Sequence, residues 1–326
     1  MNRSKRVLLR LSNIAVLVGL KVGFEKDGLL CLGFHSVLND IAAKQGVLLP
    51  ALGMPLPQYR VIFESLLEAG YVFVSSDQIS NGLPTKGKFA HISFDDGYFN
   101  NVEILPLLKE YHINAQIFVA TSFVQENKKY WWDVVYQQMS GNGANESEIS
   151  SEISRLKFFD PEKIEIFLKD RFGPSAILPT SDADRPLAPD ELQALSKSPL
   201  ITIGNHTRDH ILMDRTDVET VRSQVIGAQN DLEKIIGYRP RSFAYPNGNY
   251  NNDAVSVLRA SCFDIAFTTD FRVNNLKKDL RDGNRLTLGR FFFLSKIDPS
   301  FQCRNFRVAN ISPLVLAKKL KRQLGN

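Results

Sequence analysis

At 326 residues and 44% hydrophobic content, the chain can bury one barrel-sized core, which takes about 250 residues, and one domain with insertions is the default. The net charge of +5 sits at the ends: residues 1–26 carry +5 and the last fourteen carry +4, leaving the middle at −4. That distribution argues against a broad basic surface and against a nucleic-acid partner.

Three cysteines, Cys31, Cys262 and Cys303, are widely spaced and odd in number. Cys31 and Cys262 sit in apolar runs and read as buried thiols, so nothing demands an oxidising compartment. The amino-terminal run after Arg3-Ser4-Lys5-Arg6 is interrupted by Arg10 and Asn13, and its longest uncharged apolar piece, Ile14–Leu20, is too short to span a bilayer. No small-residue cleavage site follows. Residues 1–26 therefore read as a basic amphipathic helix lying on the fold or on an anionic membrane face. Residues 301–326, with Lys318, Lys319, Lys321 and Arg322, have the same character. The expected location is cytoplasmic, with peripheral association at the inner membrane face as an option and export as the alternative. Oligomeric state is not legible.

Between these ends, residues 27–300 read as the catalytic-sized domain. Leu29–Phe34 is an apolar run of strand length, followed by His35. After Pro57, the positions Val61, Ile62, Leu66, Leu67 and Ala69 follow helical spacing up to Gly70. Tyr71–Ser75 and His91–Phe94 read as strands, Asn101–Tyr111 as a helix with Pro106 at a kink or in its first turn, and Ala115–Ala120 as another buried strand. Strands alternating with helices at this pace imply parallel pairing with right-handed crossovers.

From about 125 to 187 the rhythm breaks, and this stretch reads as a helical insertion over the barrel mouth. It opens on Lys129-Tyr130-Trp131-Trp132-Asp133, which holds the only two tryptophans. Trp132 could stack on a sugar ring, or the rings could pin the insertion to the barrel. Further along, Leu200–Ile203, Ser242–Tyr245, Phe263–Thr268 and Leu286–Phe293 read as strands, the last ending near Arg290. Pro189–Ser196, Val218–Ile236 and Ala254–Ala260 read as helices.

Asp95 and Asp96 follow the strand ending at Phe94, and Gly97 permits a sharp turn that lets both face one pocket. Adjacent buried anions need a cation. His206 and His210, four residues apart, offer two imidazoles on one side of a loop or helix. One carboxylate and two imidazoles make a three-ligand site for Zn²⁺, or for Fe, Co or Ni, with the other carboxylate free as a base. Either motif alone is commonly a turn or a surface pair; both together, in this order, point to a metal-assisted hydrolase.

These residues resemble the polysaccharide deacetylases with the NodB homology domain. Ser93-Phe94-Asp95-Asp96-Gly97 is similar to that family's first motif, His206-Thr207-Arg208-Asp209-His210 to its second, and Ser242-Phe243-Ala244-Tyr245-Pro246-Asn247-Gly248 to its third. The resemblance implies a distorted (β/α)7 barrel, with Asp95 as general base and Asp96, His206 and His210 as ligands to one divalent metal ion. It also implies a groove wall at Tyr245 and an oxyanion-binding N–H near Asn247.

Two positions depart from the pattern. Ala244 stands where an arginine usually holds the base, and Arg290 of Leu288-Gly289-Arg290 stands where a histidine usually acts as acid. Leu30–Val37, with His35, looks like the first-strand segment of a subgroup acting on poly-N-acetylglucosamine, in which that histidine is the acid. By the same exchange Arg290 would sit beside Asp95 and keep it ionised. The expected reaction is removal of acetyl from an N-acetylated sugar in a polysaccharide, oligosaccharide or lipid-linked glycan. A small non-sugar amide, or an inactive carbohydrate-binding scaffold, is the alternative.

Overall fold

The computed structural model describes residues 25–39, 46–280 and 284–308. Most of the two expected terminal helices, over 1–26 and 301–326, lies outside the described residues. Strand β1 (Gly28–Phe34) is buried at every position. Leu29 and Cys31 face the barrel interior while Leu30, Leu32 and Phe34 face the helical layer. Both faces are covered, so the sequence runs apolar without alternation. β2 (Ser36–Leu38) and β3 (Gly53–Pro55) form a separate parallel pair.

Helix α1 (Leu56–Glu68) carries Pro57 in its first turn, where an amide would lack a helical partner anyway. Its buried stripe is Tyr59, Ile62, Phe63 and Leu66. The expected stripe through Leu67 is rotated: Leu67 is 42% exposed, because the larger rings of Tyr59 and Phe63 take the core face. β4 is only Val72–Phe73, since Ser75 is drawn off to cap α2 (Ser76–Asn81) in a reciprocal capping box with Gln78.

β5 (Lys88–Phe94) lies beside β1 in register from Gly28↔Lys88 to Phe34↔Phe94. A 3₁₀ turn, Phe99–Ile104, leads into α3 (Leu105–Tyr111), with Pro106 in the first turn. After β6 (Ala115–Val119) and α4 (Thr121–Glu126), three helices, α5 (Trp131–Gly141), α6 (Glu146–Leu156) and α7 (Pro161–Phe172), interrupt the β/α alternation. They share their own core, including Val135, Ile149, Ile153 and Leu168. The alternation resumes with α8 (Pro189–Ser196), β7 (Ile201–Asn205), α9 (Val218–Ile236), β8 (Ser242–Ala244), α10 (Asn252–Ala260) and β9 (Ile265–Phe267). β10 (Arg290–Phe292) and α11 (Pro299–Arg307) end the described chain.

The strands run β10-β1-β5-β6-β7-β8-β9, every neighbouring pair parallel, with β4 on the amino-terminal half of β5. β9 and β10 close the ring through one bridge, Phe267↔Leu288, and β7 and β8 share the single pair Asn205↔Phe243. The molecule is thus a nearly closed, distorted seven-stranded barrel with a helical insertion, the class expected from the sequence.

Two further expectations are corrected. Arg290 opens the last strand instead of closing it. The Asn274 side chain accepts from the Gly289 N–H (2.8 Å) and donates to the Gly289 carbonyl (2.9 Å), which removes that backbone from the ladder. Cys262 is exposed while Cys31 and Cys303 are buried. It lies at φ 61° just after α10, a turn conformation that lifts it out of the apolar layer. No helix among the described residues is long and apolar enough to cross a membrane.

Candidate metal centre and active site

The β1/β5 register puts His35 and Asp95 at the same level on adjacent strands, and the Asp95 N–H still donates to the Phe34 carbonyl at 2.8 Å. The chain then turns through Asp96 (φ 76°) and Gly97 (φ 90°). A left-handed aspartate costs on the order of 1–3 kcal/mol. Here its carbonyl is held by the Tyr130 hydroxyl at 2.9 Å and the Ala120 N–H at 3.2 Å. The turn sends the two carboxylates in different directions: Asp95 onto Arg290, and Asp96 toward two imidazoles. Thr207 (φ 65°), His210 (φ 54°) and Asn247 (φ 55°) are also left-handed and belong to the loops of this same face.

His206 follows β7 directly. Its Nδ1 lies 2.7 Å from the Ala244 carbonyl, which requires the proton there and leaves Nε2 as the free lone pair. The Nε2 atoms of His206 and His210 each lie 3.5 Å from Asp96 Oδ1. The ligand atoms of the three residues lie within 4.8 Å of one another. Both Asp96 oxygens are buried and receive no hydrogen bond. A bare buried carboxylate is costly unless a cation completes it. Donors bound to one zinc-like ion at about 2.1 Å stand roughly 3.4 Å apart, so this set fits a divalent ion of the zinc class.

Asp95 is fully partnered. Arg290 is completely buried and grips it with both ends, Nη1 to Oδ1 at 2.6 Å and Nη2 to Oδ2 at 2.8 Å. The same guanidinium donates to Ser93 Oγ (3.0 Å) and the Thr268 carbonyl (3.1 Å), and it lies among the rings of Phe118, Phe267 and Phe292. Burial pushes the Asp95 carboxyl up, but Arg290 and His206 more than offset it, and the net direction is below the usual carboxylate range. Asp95 is therefore ionised at neutral pH.

His35 lines the same cavity, tilted against Phe292 at 5.4 Å, with its carbonyl held by the Asn101 amide at 2.6 Å. Phe292 covers Gly33, where a Cβ would come within 2.4 Å of the ring, so only glycine admits this packing one strand step below His35. Burial pulls the His35 pKa down and the carboxylates of Asp96 and Asp95 oppose it, with a net lowering. The cavity, about 450 Å³, is lined by His35, Asp95, Asp96, His206, His210 and Asn247 among others, a volume suited to a sugar unit.

Asn247 sits in the turn after β8, whose two hydrogen bonds use the Gly248 and Asn249 amides, not its own. Tyr245 does not reach the cavity. Its ring is fully buried in the outer layer with Phe243 and Tyr250, its hydroxyl donates to the Leu286 carbonyl (3.0 Å), and its N–H donates to the Phe267 carbonyl (3.0 Å). The reason is strand alternation: Ala244 points inward, so its neighbour points out.

Trp132 borders the cavity but is 6% exposed. Its ring stacks on Tyr130 at 5.2 Å and tilts against His210 at 4.9 Å. Its indole N–H donates to the Tyr98 hydroxyl (2.8 Å), which donates to Asp133 Oδ2 (2.6 Å). The other Asp133 oxygen accepts the Leu49 N–H at 2.7 Å. Burial pushes Asp133 up to about 7, against the pull of Tyr98. Tyr98, Tyr130 and Asp133 thus brace His210 and the Asp96 backbone; the sequence reading placed Tyr130 and Asp133 in the stretch whose rings could pin the insertion, but it missed Tyr98 and the bracing role of all three. Their one signal is proximity in the chain to Asp96 and to the Trp131-Trp132 pair.

A family model described as polysaccharide deacetylase matches residues 82–264. Among solved structures, a de-N-acetylase from Aggregatibacter actinomycetemcomitans is similar at 20% identity and TM-score 0.60, covering 86% of this chain and 100% of that one. IcaB from Ammonifex degensii is similar at 18% and 0.58, covering 87% and 98%. Streptococcus pyogenes deacetylase PplD, solved with acetate, is similar at 14% and 0.54, covering 86% and 99%. At these identities the likeness shows the fold. No curated protein matches the chain.

Proposed function

The chain belongs to the polysaccharide deacetylase family, and from that premise we propose that its cavity hydrolyses the acetamide of an N-acetylated sugar with the help of one divalent metal ion, releasing acetate and a free amine. The observation that carries the metal dependence is Asp96, whose two buried oxygens have no donor while two imidazole lone pairs stand 3.5 Å from one of them. Asp96, His206 and His210 would hold the ion. Zinc suits this donor set best, with iron, cobalt or nickel as alternatives. When bound, the ion supplies Lewis acidity to the acetamide carbonyl and to water.

The remaining steps fall to the chain's own groups. Asp95, kept ionised and oriented by Arg290, takes the proton of the attacking water at a free lone pair of its carboxylate. The oxygen of the tetrahedral adduct is met by the backbone N–H near Asn247. Collapse of that adduct needs one proton at nitrogen, and His35, one strand over from Asp95, is the group assigned to deliver it.

The test is acetate release from N-acetylglucosamine oligosaccharides, with and without chelator, followed by the same assay on His35→Ala. Chelation should abolish release and added Zn²⁺ restore it. His35→Ala should lower kcat by on the order of 10²–10⁴. A protein that binds one metal ion yet releases no acetate from any N-acetylated glycan would sink this reading.

A further inference from the structure

We infer that the substrate carries an anionic group, a phosphate or a carboxylate, beside the sugar whose acetamide is cleaved, and that Lys157 and Arg215 at the cavity rim receive it. This rests on the deacetylase reading above and narrows its substrate class.

The charges around the cavity are the starting point. Apart from Asp96, assigned to the metal ion, its carboxylates include Asp95 matched by Arg290, Asp160 by Lys163 at 2.6 Å, and Glu165 by Lys128 at 2.9 Å and Lys169 at 2.7 Å. Asp209 accepts from the Gln224 side chain, and Lys129 pairs with Asp184 at 3.5 Å. Two lining cations remain with no carboxylate in hydrogen-bond reach among the described residues.

Lys157 follows α6, and its Nζ donates to the Asn247 side-chain oxygen at 3.1 Å, a neutral acceptor that leaves ammonium donors free. Lys157 is solvent-exposed, so its ammonium is open to a ligand from the cavity mouth. Arg215 lies 4.4 Å over the ring of Phe158, and its nearest carboxylate is Asp214 at 4.0 Å, beyond hydrogen-bond length.

Phe158, next to Lys157 in the chain and under the Arg215 guanidinium, lines the same cavity and is 62% exposed at the tip joining α6 to α7. Two cations and an exposed ring lining one cavity form a receiver for a sugar bearing a negative charge: the cations offer charge-assisted donors and the ring, with Arg215 over it, offers apolar contact at its uncovered edge. A neutral glycan offers these cations only neutral oxygen acceptors, whereas a phosphate or carboxylate also supplies the opposite charge. The link from Lys157 to Asn247 also ties this rim to the turn assigned to the oxyanion.

The experiment compares kcat/KM for acetate release from N-acetylglucosamine methyl glycoside, N-acetylglucosamine 1-phosphate and an N-acetylglucosamine disaccharide ending in a uronic acid. Each is assayed with the metal-loaded wild type, Lys157→Met, Arg215→Met and the double variant. The wild type should favour at least one anionic substrate by about tenfold or more, and each single variant should cut the anionic-to-neutral ratio roughly tenfold, mainly through KM. Whichever arm is favoured identifies phosphate or carboxylate as the source. A wild-type ratio near one, or a ratio the variants leave alone, overturns the proposal. If no substrate releases acetate, the deacetylase reading fails. The rim is then read separately by equilibrium binding of the 1-phosphate and the methyl glycoside: a preference for phosphate that is lost in the double variant supports the inference, and equal binding ends it.

Discussion

The floor of the cavity, where β1, β5, β7 and β10 present His35, Asp95, Asp96, His206 and Arg290, is held by charge and hydrogen bonds. The wall supplied by residues 130–172 is held mainly by rings, with Trp132, Tyr130 and Phe123 stacked in sequence. Arg290 sits on β10 and the other floor residues directly follow strands whose register is shared across the barrel, so a shift of one side chain disturbs a fixed network. The wall has an apolar core that also takes in Tyr98, Ala120 and Phe123, and it touches the metal-ligand residues through Trp132 on His210 and Tyr130 on Asp96. On the proposed function, chemistry falls to the floor and adjustment of substrate to the wall.

The comparison breaks most sharply at Asp95. Asp95→Asn should lower kcat by on the order of 10²–10⁴ while bound metal stays at one equivalent, because Asp95 is not among the clustered ligands. Metal analysis beside steady-state kinetics decides this; loss of the ion along with activity would show that the two carboxylates share one role. Next comes Arg290→Met, which leaves the buried Asp95 charge without its bidentate partner. Breaking such a pair from one side costs about 3–5 kcal/mol, measurable by urea denaturation. Adding Asp95→Asn to Arg290→Met should return a large part of that loss, since no uncompensated charge remains. Equal stability of the single and double variants would mean the pair is not what holds the floor.

These two regions also differ in how far they can be read from sequence. Asp95, Asp96, His206 and His210 are legible because each lies in a short motif at the end of an apolar run, where a barrel gathers chemistry. Arg290 is legible only by noticing that Ala244 leaves an aspartate without its usual cation; its contact spans 195 residues. Tyr245 misleads because Phe243, Ala244 and Tyr245 are all apolar, so polarity sets no phase for which one faces inward. The limits of β10 depend on a side chain, Asn274, that no local pattern connects to Gly289. Tyr98, Tyr130 and Asp133 are recruited by tertiary packing across the insertion and carry no spacing signal.

The buried carboxyl Asp133 of the wall offers a smaller effect with a definite sign. Asp133 is raised from 3.8 to about 7, so the folded state keeps a proton that the unfolded chain gives up. Its contribution is therefore present at pH below about 4 and is lost as pH rises toward 7. Relative to Asp133→Asn, the wild type should lose roughly 1.4 kcal/mol per pH unit across that window and then level off. The slope is the readout, because the substitution also changes hydrogen bonds to Leu49 and Tyr98 by an amount that does not depend on pH. Parallel stability curves from pH 4 to 8 would place the titration elsewhere.

Tyr98→Phe should produce the smallest change, and the most informative one about how wall and floor are joined. The hydroxyl accepts from the Trp132 indole and donates to Asp133, so its loss leaves one buried donor and one buried acceptor unsatisfied. That costs about 1–3 kcal/mol. If the ring stack braces His210 against the ligand cluster, the variant should also bind Zn²⁺ more weakly, by on the order of 10-fold, the low end for groups that orient a ligand without touching the ion. Competition against a chromophoric chelator measures the affinity, and urea denaturation of the metal-free protein measures the stability. A stability loss with unchanged affinity would confine Tyr98 to the wall. A matched loss in both would mean that the insertion sets the position of His210, and that the barrel and its helical addition share one metal centre.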